Sequence, residues 1–180
     1  VAGNKKVAIM LIERDNTPED VIFLLSDYSN LIDIVRLAVD PNRIGFAVEL
    51  AKAIKDLGYE VGFNLMYMSK VVKQPEILEQ LSLLNGIVDY FSLVDSYGGV
   101  YPNEVYDAVR KLKEILNMPI GFHGHNNLEM ALINSLTAVE AGAEIIDSTF
   151  TGMGRGAGNL KTELILTVLD SKESADINYN

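Results

Sequence analysis

Residues 119–128, PIGFHGHNNL, read as a strand that enters at Pro119 and ends in a polar mouth. His123 and His125 are the only two histidines among the 180 residues. On a strand, residues i and i+2 point to the same face. Both imidazoles can therefore reach one point in space, as a divalent metal requires. Gly121 and Gly124 leave room beside them for an ion and its ligand. A histidine pair so spaced is also compatible with two core residues bonded to backbone, so the surroundings of the strand have to decide.

Outward from this strand, apolar runs of strand length alternate with amphipathic stretches of helix length. Downstream come a helix over Asn127–Ala141 closed by Gly142, a strand over Glu144–Phe150, and a glycine-rich loop. A last helix runs from about Lys161 to Leu169. Upstream, Val7–Ile12 (VAIMLI) reads as a strand covered on both faces. Thr17 caps a helix that opens with Pro18, Glu19 and Asp20. The strands Ile32–Val39, Tyr59–Met68 and Ile87–Val94 follow. Between and after them lie helices from Asp40-Pro41-Asn42 to Leu57, over Gln74–Leu84 and over Pro102–Leu116. Six such units without a hairpin signal predict a parallel sheet with helical crossovers. An open doubly wound sheet and a (β/α)₈ barrel both satisfy this pattern, and a barrel typically needs about 250 residues and eight units.

Composition narrows the partners. The 48% hydrophobic content supplies a real core, and a formal net charge of −10 without a basic run disfavours nucleic acid and anionic membranes. No 18-residue apolar run spans a membrane, and the start, VAGNKKVAIM, has neither a signal peptide's apolar region nor an initiator Met. The absence of cysteine removes disulfide and thiolate chemistry and fits a cytoplasmic setting.

In α/β proteins, function collects at the carboxyl ends of strands. Here those ends read Val94-Asp95-Ser96-Tyr97-Gly98-Gly99, His123-Gly124-His125-Asn126-Asn127 and Asp147-Ser148-Thr149, three polar rims suited to one shared mouth. The loop GMGRGAGN (residues 152–159) is close to a dinucleotide fingerprint, but it stands in the last unit, next to the histidine pair. A tight anion nest, or a close approach to a metal-bound substrate, accounts for its glycines better. Arg36 alternates with Ile32, Ile34 and Ala38 and so can point inward, as an anion ligand or, preferably, in a structural ion pair. Asn64 is a weaker mouth candidate, and Met66 and Met68 read as packing.

VDSYGG, GFHGHNNLEMALINSLTAVEAGA and IDSTFTGMGRGAGN, in that order and spacing, resemble the metal-dependent aldolase and lyase superfamily that includes 3-hydroxy-3-methylglutaryl-CoA lyases. The strongest match covers Ile87–Leu169, and GMGxGAGN with HGHxNL is most similar to the 4-hydroxy-2-oxovalerate aldolase branch. The resemblance implies a (β/α)₈ TIM barrel whose seventh strand carries His123 and His125 as ligands of Mn²⁺ or Mg²⁺. Asn159 is a further, weaker ligand or a helix cap, and Asp95 and Ser96 line the mouth to hold substrate or a histidine. The chain then supplies strands three to eight of a single catalytic domain over residues 1–180, truncated at both ends. The C-terminal SKESADINYN stretch reads as a continuation cut short, and the third metal ligand, a catalytic arginine and the general base are expected outside the chain. The implied activity is cleavage of a 4-hydroxy-2-oxo acid to pyruvate and an aldehyde through a metal-stabilised enolate. The alternatives are an acyl-CoA-dependent synthase or lyase on the same scaffold and a non-catalytic barrel module. A homo-oligomer, or an aldehyde dehydrogenase partner, is compatible with the resemblance; nothing in this chain supports the latter. The branch usually has a small residue at the position of Arg155, where a guanidinium can instead bind a second carboxylate or a phosphate.

Overall fold

The structure, a computed structural model, describes residues 5–173. The end of the SKESADINYN stretch and the first four residues lie outside them. Strand β1 (Ala8–Ile12) leads through a 3₁₀ turn to helix α1 (Pro18–Leu25). There follow β2 (Ile34–Val39), α2 (Ile44–Asp56), β3 (Glu60–Leu65), a short α3 (Met68–Val71) and α4 (Pro75–Gln80). The chain continues with β4 (Tyr90–Asp95), α5 (Pro102–Ile115), β5 (Ile120–Gly124), α6 (Ala131–Glu140), β6 (Ile145–Asp147) and α7 (Thr162–Glu173). The six strands pair in sequence order and every pair is parallel.

One contact shows how strongly this sheet curls. Four steps of about 4.8 Å would set β2 and β6 about 19 Å apart in a flat sheet. Yet Arg36 on β2 and Asp147 on β6 form a bidentate ion pair, with N···O distances of 3.0 and 2.5 Å. Only a sheet rolled toward closure brings those side chains together, so the architecture is a partial TIM barrel.

Alternation along the strands sorts the two faces. Val35, Leu37, Val61, Phe63, Phe91, Leu93, Ile120 and Phe122 point outward under the helices and are buried, and the apolar core lies there. The inner face is mixed. Gly62 makes room for the Tyr90 ring, whose Cζ lies 2.4 Å from where a Cβ would stand, and Gly121 does the same for Ser92 Oγ at 2.4 Å. At Gly124 a Cβ would meet the Phe122 ring at 3.0 Å and the Ala131 backbone of α6 at 3.6 Å. These glycines make space for packing rather than for an ion beside the histidines.

Helix starts follow the sequence signals. Thr17 and Asp20 form a reciprocal capping box, with N–H···O bonds of 3.2 and 2.8 Å, a device of about 1 kcal/mol. At the amino ends of the strands, acids accept strand N–H groups: Asp33 from Val7, Asp89 from Val61 and Glu144 from Ile120.

Several expectations need correction. β1 is not covered on both faces: Ile9 and Leu11 pack on the core, while Met10 and Ile12 are 51% and 43% exposed. The strand expected over Glu144–Phe150 keeps only three residues, because Phe150 enters a 3₁₀ turn and Thr151 takes φ 55°. The helix expected from Asn127 begins at Ala131, after a turn in which Glu129 adopts φ 56° and Asn126 Oδ1 accepts the Ala131 N–H.

Candidate metal and substrate site

β5 carries both histidines to the carboxyl end of the sheet, and each is held by its Nδ1. His123 Nδ1 lies 3.0 Å from Asp147 Oδ2, a residue directly opposite it in the β5–β6 register. His125 Nδ1 lies 2.8 Å from the backbone carbonyl oxygen of Asp95. Both acceptors favour the tautomer with the proton on Nδ1, which leaves each Nε2 lone pair for a metal. The rings meet edge to face with centroids 5.0 Å apart.

Asp147 anchors this arrangement. Burial pushes its carboxyl up, but hydrogen bonds from His123 and Arg36, together with the Arg36 charge, outweigh burial and hold it at about 2. Arg36 also donates from Nε to Asn64 Oδ1 at 3.1 Å and lies 5.9 Å from the Tyr90 ring centroid. Burial disfavours its charge, yet the pairing with Asp147 raises its pKa. Arg36 is thus the inward-pointing ion pair, and Asn64 supports it.

The glycine-rich loop crosses the ends of β5 and β6. Asn126 N donates to Gly158 O at 2.8 Å, Leu160 N to Gly124 O at 3.2 Å, and Thr149 N to Leu160 O at 3.0 Å. Within the loop, Gly152, Met153, Gly158 and Asn159 donate their N–H groups to Thr149, Phe150, Arg155 and Gly152. Those four amides are spent on the loop itself. The glycines allow the chain to fold on itself: at Gly158, with φ 88°, a Cβ would lie 2.2 Å from Gly152 O.

This strap sets Asn159 opposite His125 in an isolated bridge. Asn159 Nδ2 donates to Met153 O at 3.1 Å, while its buried Oδ1 has no partner. An unpartnered amide oxygen on the residue bridged to His125, and two imidazoles held by Nδ1, are donor types that fit a divalent cation. Among the described residues no group of three or more histidine, aspartate, glutamate or cysteine side chains completes a metal cage.

The remaining candidates separate. Asp95 is fully buried and lies on the outward face with Leu93; its carboxylate accepts from Gly99 N at 3.2 Å and Val100 N at 3.3 Å. Its side chain shapes the turn, and only its backbone carbonyl reaches a histidine. Ser96 Oγ accepts the Tyr67 N–H at 2.9 Å. Ser96, His125, Met66, Tyr67, Tyr97 and Arg155 line one cavity of about 480 Å³. Tyr67 and Tyr97 form a tilted aromatic pair with centroids 5.5 Å apart. Tyr67 holds a left-handed backbone (φ 60°), and the other described non-glycine residues with positive φ, Glu129 and Thr151, follow β5 and β6. Backbone strain of this kind gathers at functional sites, and here it gathers on one face.

Sequence reasoning placed Asp147 and Tyr97 on the polar rims without giving either a role, and it did not single out Tyr67. Asp147 was within reach of strand parity, two positions from inward-facing Ile145, whereas nothing local marks Tyr67.

Comparisons with known proteins bear on the family and the fold. The model of the HMGL-like family matches residues 21–180. A 4-hydroxy-2-oxovalerate aldolase of Geobacillus stearothermophilus is 37% identical over 174 residues, covering 94% of this chain and 49% of that protein. That of Pelotomaculum thermopropionicum is 40% identical over 139 residues, covering 77% and 41%. The chain thus spans about half the length of the curated relatives it matches. Among solved structures, the N-terminal domain of a candidate aldolase from Bacteroides vulgatus superposes with a TM-score of 0.96 at 48% identity, covering 98% of this chain and 59% of that one. The carboxyl transferase domain of Rhizobium etli pyruvate carboxylase shares the fold alone, with a TM-score of 0.79 at 17% identity, covering 95% of this chain and 32% of that one. With the histidine strand, the strap that faces it and the curled parallel sheet all in place, the chain belongs to the HMGL-like family.

Proposed function

We propose that this chain forms the metal-binding and substrate-binding half of a divalent-metal-dependent aldolase. Its reaction is cleavage of a 4-hydroxy-2-oxo acid to pyruvate and an aldehyde. The observation that carries this reading is the donor set at one strand end: two imidazoles held by Nδ1, with Asn159, whose Oδ1 is unpartnered, bridged through its backbone to His125. His123, His125 and Asn159 would hold Mn²⁺ or Mg²⁺. When bound, the cation supplies a Lewis acid for the negative charge that develops as the carbon–carbon bond breaks.

The chain's own residues do the rest of the positioning. Asp147 and the Asp95 carbonyl hold the imidazoles in one tautomer and orientation. Ser96 fixes the backbone of Tyr67 at the cavity, and the two tyrosines wall off its side. The reaction requires loss of the C4 hydroxyl proton to a base, cleavage of the C3–C4 bond and protonation of C3. We assign no residue of this chain to that base.

The test is pyruvate release from 4-hydroxy-2-oxo acids by the full-length protein with Mn²⁺ and with EDTA. Release that needs metal and disappears in His123→Ala is the expected result. Metal binding without release would favour acyl-CoA substrates, and neither binding nor release would end the enzyme reading.

A further inference from the structure

Arg155 stands at the meeting point of two adjoining cavities. One is the 480 Å³ space that contains His125; the other, of about 280 Å³, is lined by Glu13, Asp40 and Arg43 and shares Met66, Tyr67 and Arg155 with the first. The strap fixes its backbone, since Arg155 O accepts the Gly158 N–H at 3.0 Å and Gly158 O in turn accepts from Asn126.

The neighbouring charges are already engaged. Arg43 Nε lies 2.8 Å from Glu13 Oε1 in an ion pair. Asp40 Oδ1 accepts from Asn42 N and Asn42 Nδ2, both at 2.9 Å. Arg14 contacts Asp15 at 3.5 Å. The guanidinium of Arg155 has no ion pair or hydrogen bond among the described residues. The larger cavity holds this cation and a metal-directed histidine and is lined by no carboxylate among the described residues. In a chain of net charge −10, a cation left without a partner at such a mouth is a place for a ligand's negative charge.

We propose that the substrate carries a second anionic group, a carboxylate or a phosphate, at the end remote from its 2-oxo acid, and that Arg155 receives it. This rests on the aldolase reading above for the identity of the other end. A guanidinium offers a planar fork of donors that matches either anion in two parallel hydrogen bonds. Between the two poles the Tyr67–Tyr97 wall faces the carbon chain. On cleavage the C4 hydroxyl loses its proton and becomes a carbonyl, and C3 takes up a proton. Pyruvate then leaves from the histidine end, while the second anion stays on the aldehyde. The activity is therefore directed to acidic aldehydes.

The full-length protein with Mn²⁺ is assayed at low ionic strength on three 4-hydroxy-2-oxo acids: the neutral-tailed 4-hydroxy-2-oxopentanoate, 4-hydroxy-2-oxoglutarate and one ending in a phosphate monoester. The readout is the ratio of kcat/KM for each anionic tail to that for the neutral tail. The wild type should prefer an anionic tail, and which one distinguishes carboxylate from phosphate. In Arg155→Ala the ratio should fall by about 10- to 100-fold, the worth of a charged hydrogen bond, with part retained in Arg155→Lys. Turnover with no anionic preference, or with a ratio that Arg155→Ala leaves unchanged, would overturn the proposal while the aldolase reading stood. If no substrate releases pyruvate, the aldolase reading falls and binding decides the subsite. In that case tighter binding of 2-oxoglutarate than of 2-oxopentanoate, lost in Arg155→Ala, would keep it, and equal binding would remove it.

Discussion

Asp147 takes a bidentate grip from Arg36 and faces Nδ1 of His123, so one carboxylate links the inside of the sheet to a metal-directed imidazole. Asp147→Asn should keep the size of the side chain and weaken this orientation. Losing such a partner typically costs about 10- to 100-fold in metal affinity, which Mn²⁺ titration of the full-length protein would read. The same residue predicts an acid response. Its carboxyl is held at about 2, below the ordinary 3.8, so its contribution to stability is complete above 3.8 and is lost as pH falls toward 2. The difference is worth about 2 kcal/mol. Denaturant unfolding of wild type at pH 5 and pH 2.5 should show that loss, and Asp147→Asn should lack this component. Equal pH responses of the two proteins would mean that the ion pair does not survive in solution. The histidines were legible as a pair because period two is a local property. Asp147 became a partner only when β6 aligned with β5, a register no local pattern states.

At the scale of elements, the strap over residues 152–160 depends on close backbone contact. Gly158 and Gly86 both have positive φ, 88° and 80°, but a Cβ at Gly158 would strike Gly152 O whereas one at Gly86 meets open space. Gly86→Ala should therefore cost about 1 kcal/mol from strain alone, and Gly158→Ala clearly more. In Gly158→Ala hydrogen exchange should rise at Asn159 and Leu160, and metal affinity should fall with the displaced Asn159. Exchange that stays at the wild-type level would show that the strap tolerates the side chain. The glycines were conspicuous in the sequence, yet what Gly158 accommodates is the loop's own backbone, which only the folded path reveals.

Across the whole molecule, the Arg36–Asp147 pair is a chord of the curled sheet, joining β2 to β6 over three intervening strands. Removing either partner alone leaves a charge in a mostly buried place, which costs about 3–5 kcal/mol; replacing both with apolar residues should cost much less. Urea unfolding of Arg36→Met, Asp147→Leu and the double variant would measure the coupling. Additive losses would show that the pair contributes nothing as a pair. The opposite wall has its own consequence: β1 keeps Ile9 and Leu11 on the core but leaves Met10 and Ile12 half exposed. An apolar run of strand length states that a strand exists, and its neighbours decide how many faces are covered.

By itself the sequence determined the alternation of strands and helices, the parallel sheet and the histidine strand, because each depends on periodicity or on spacing within one segment. Strand parity also placed Arg36 inside. Tertiary structure decided how that parity is used: Asp95 turns outward to bind Gly99 and Val100, while its carbonyl meets His125. It also decided that Asp147 orients His123, that Asn159 faces His125 and that Arg155 stands unpaired between two cavities. These relations join residues far apart in the chain, and the curling of the sheet, not any local preference, brings them within a few ångströms.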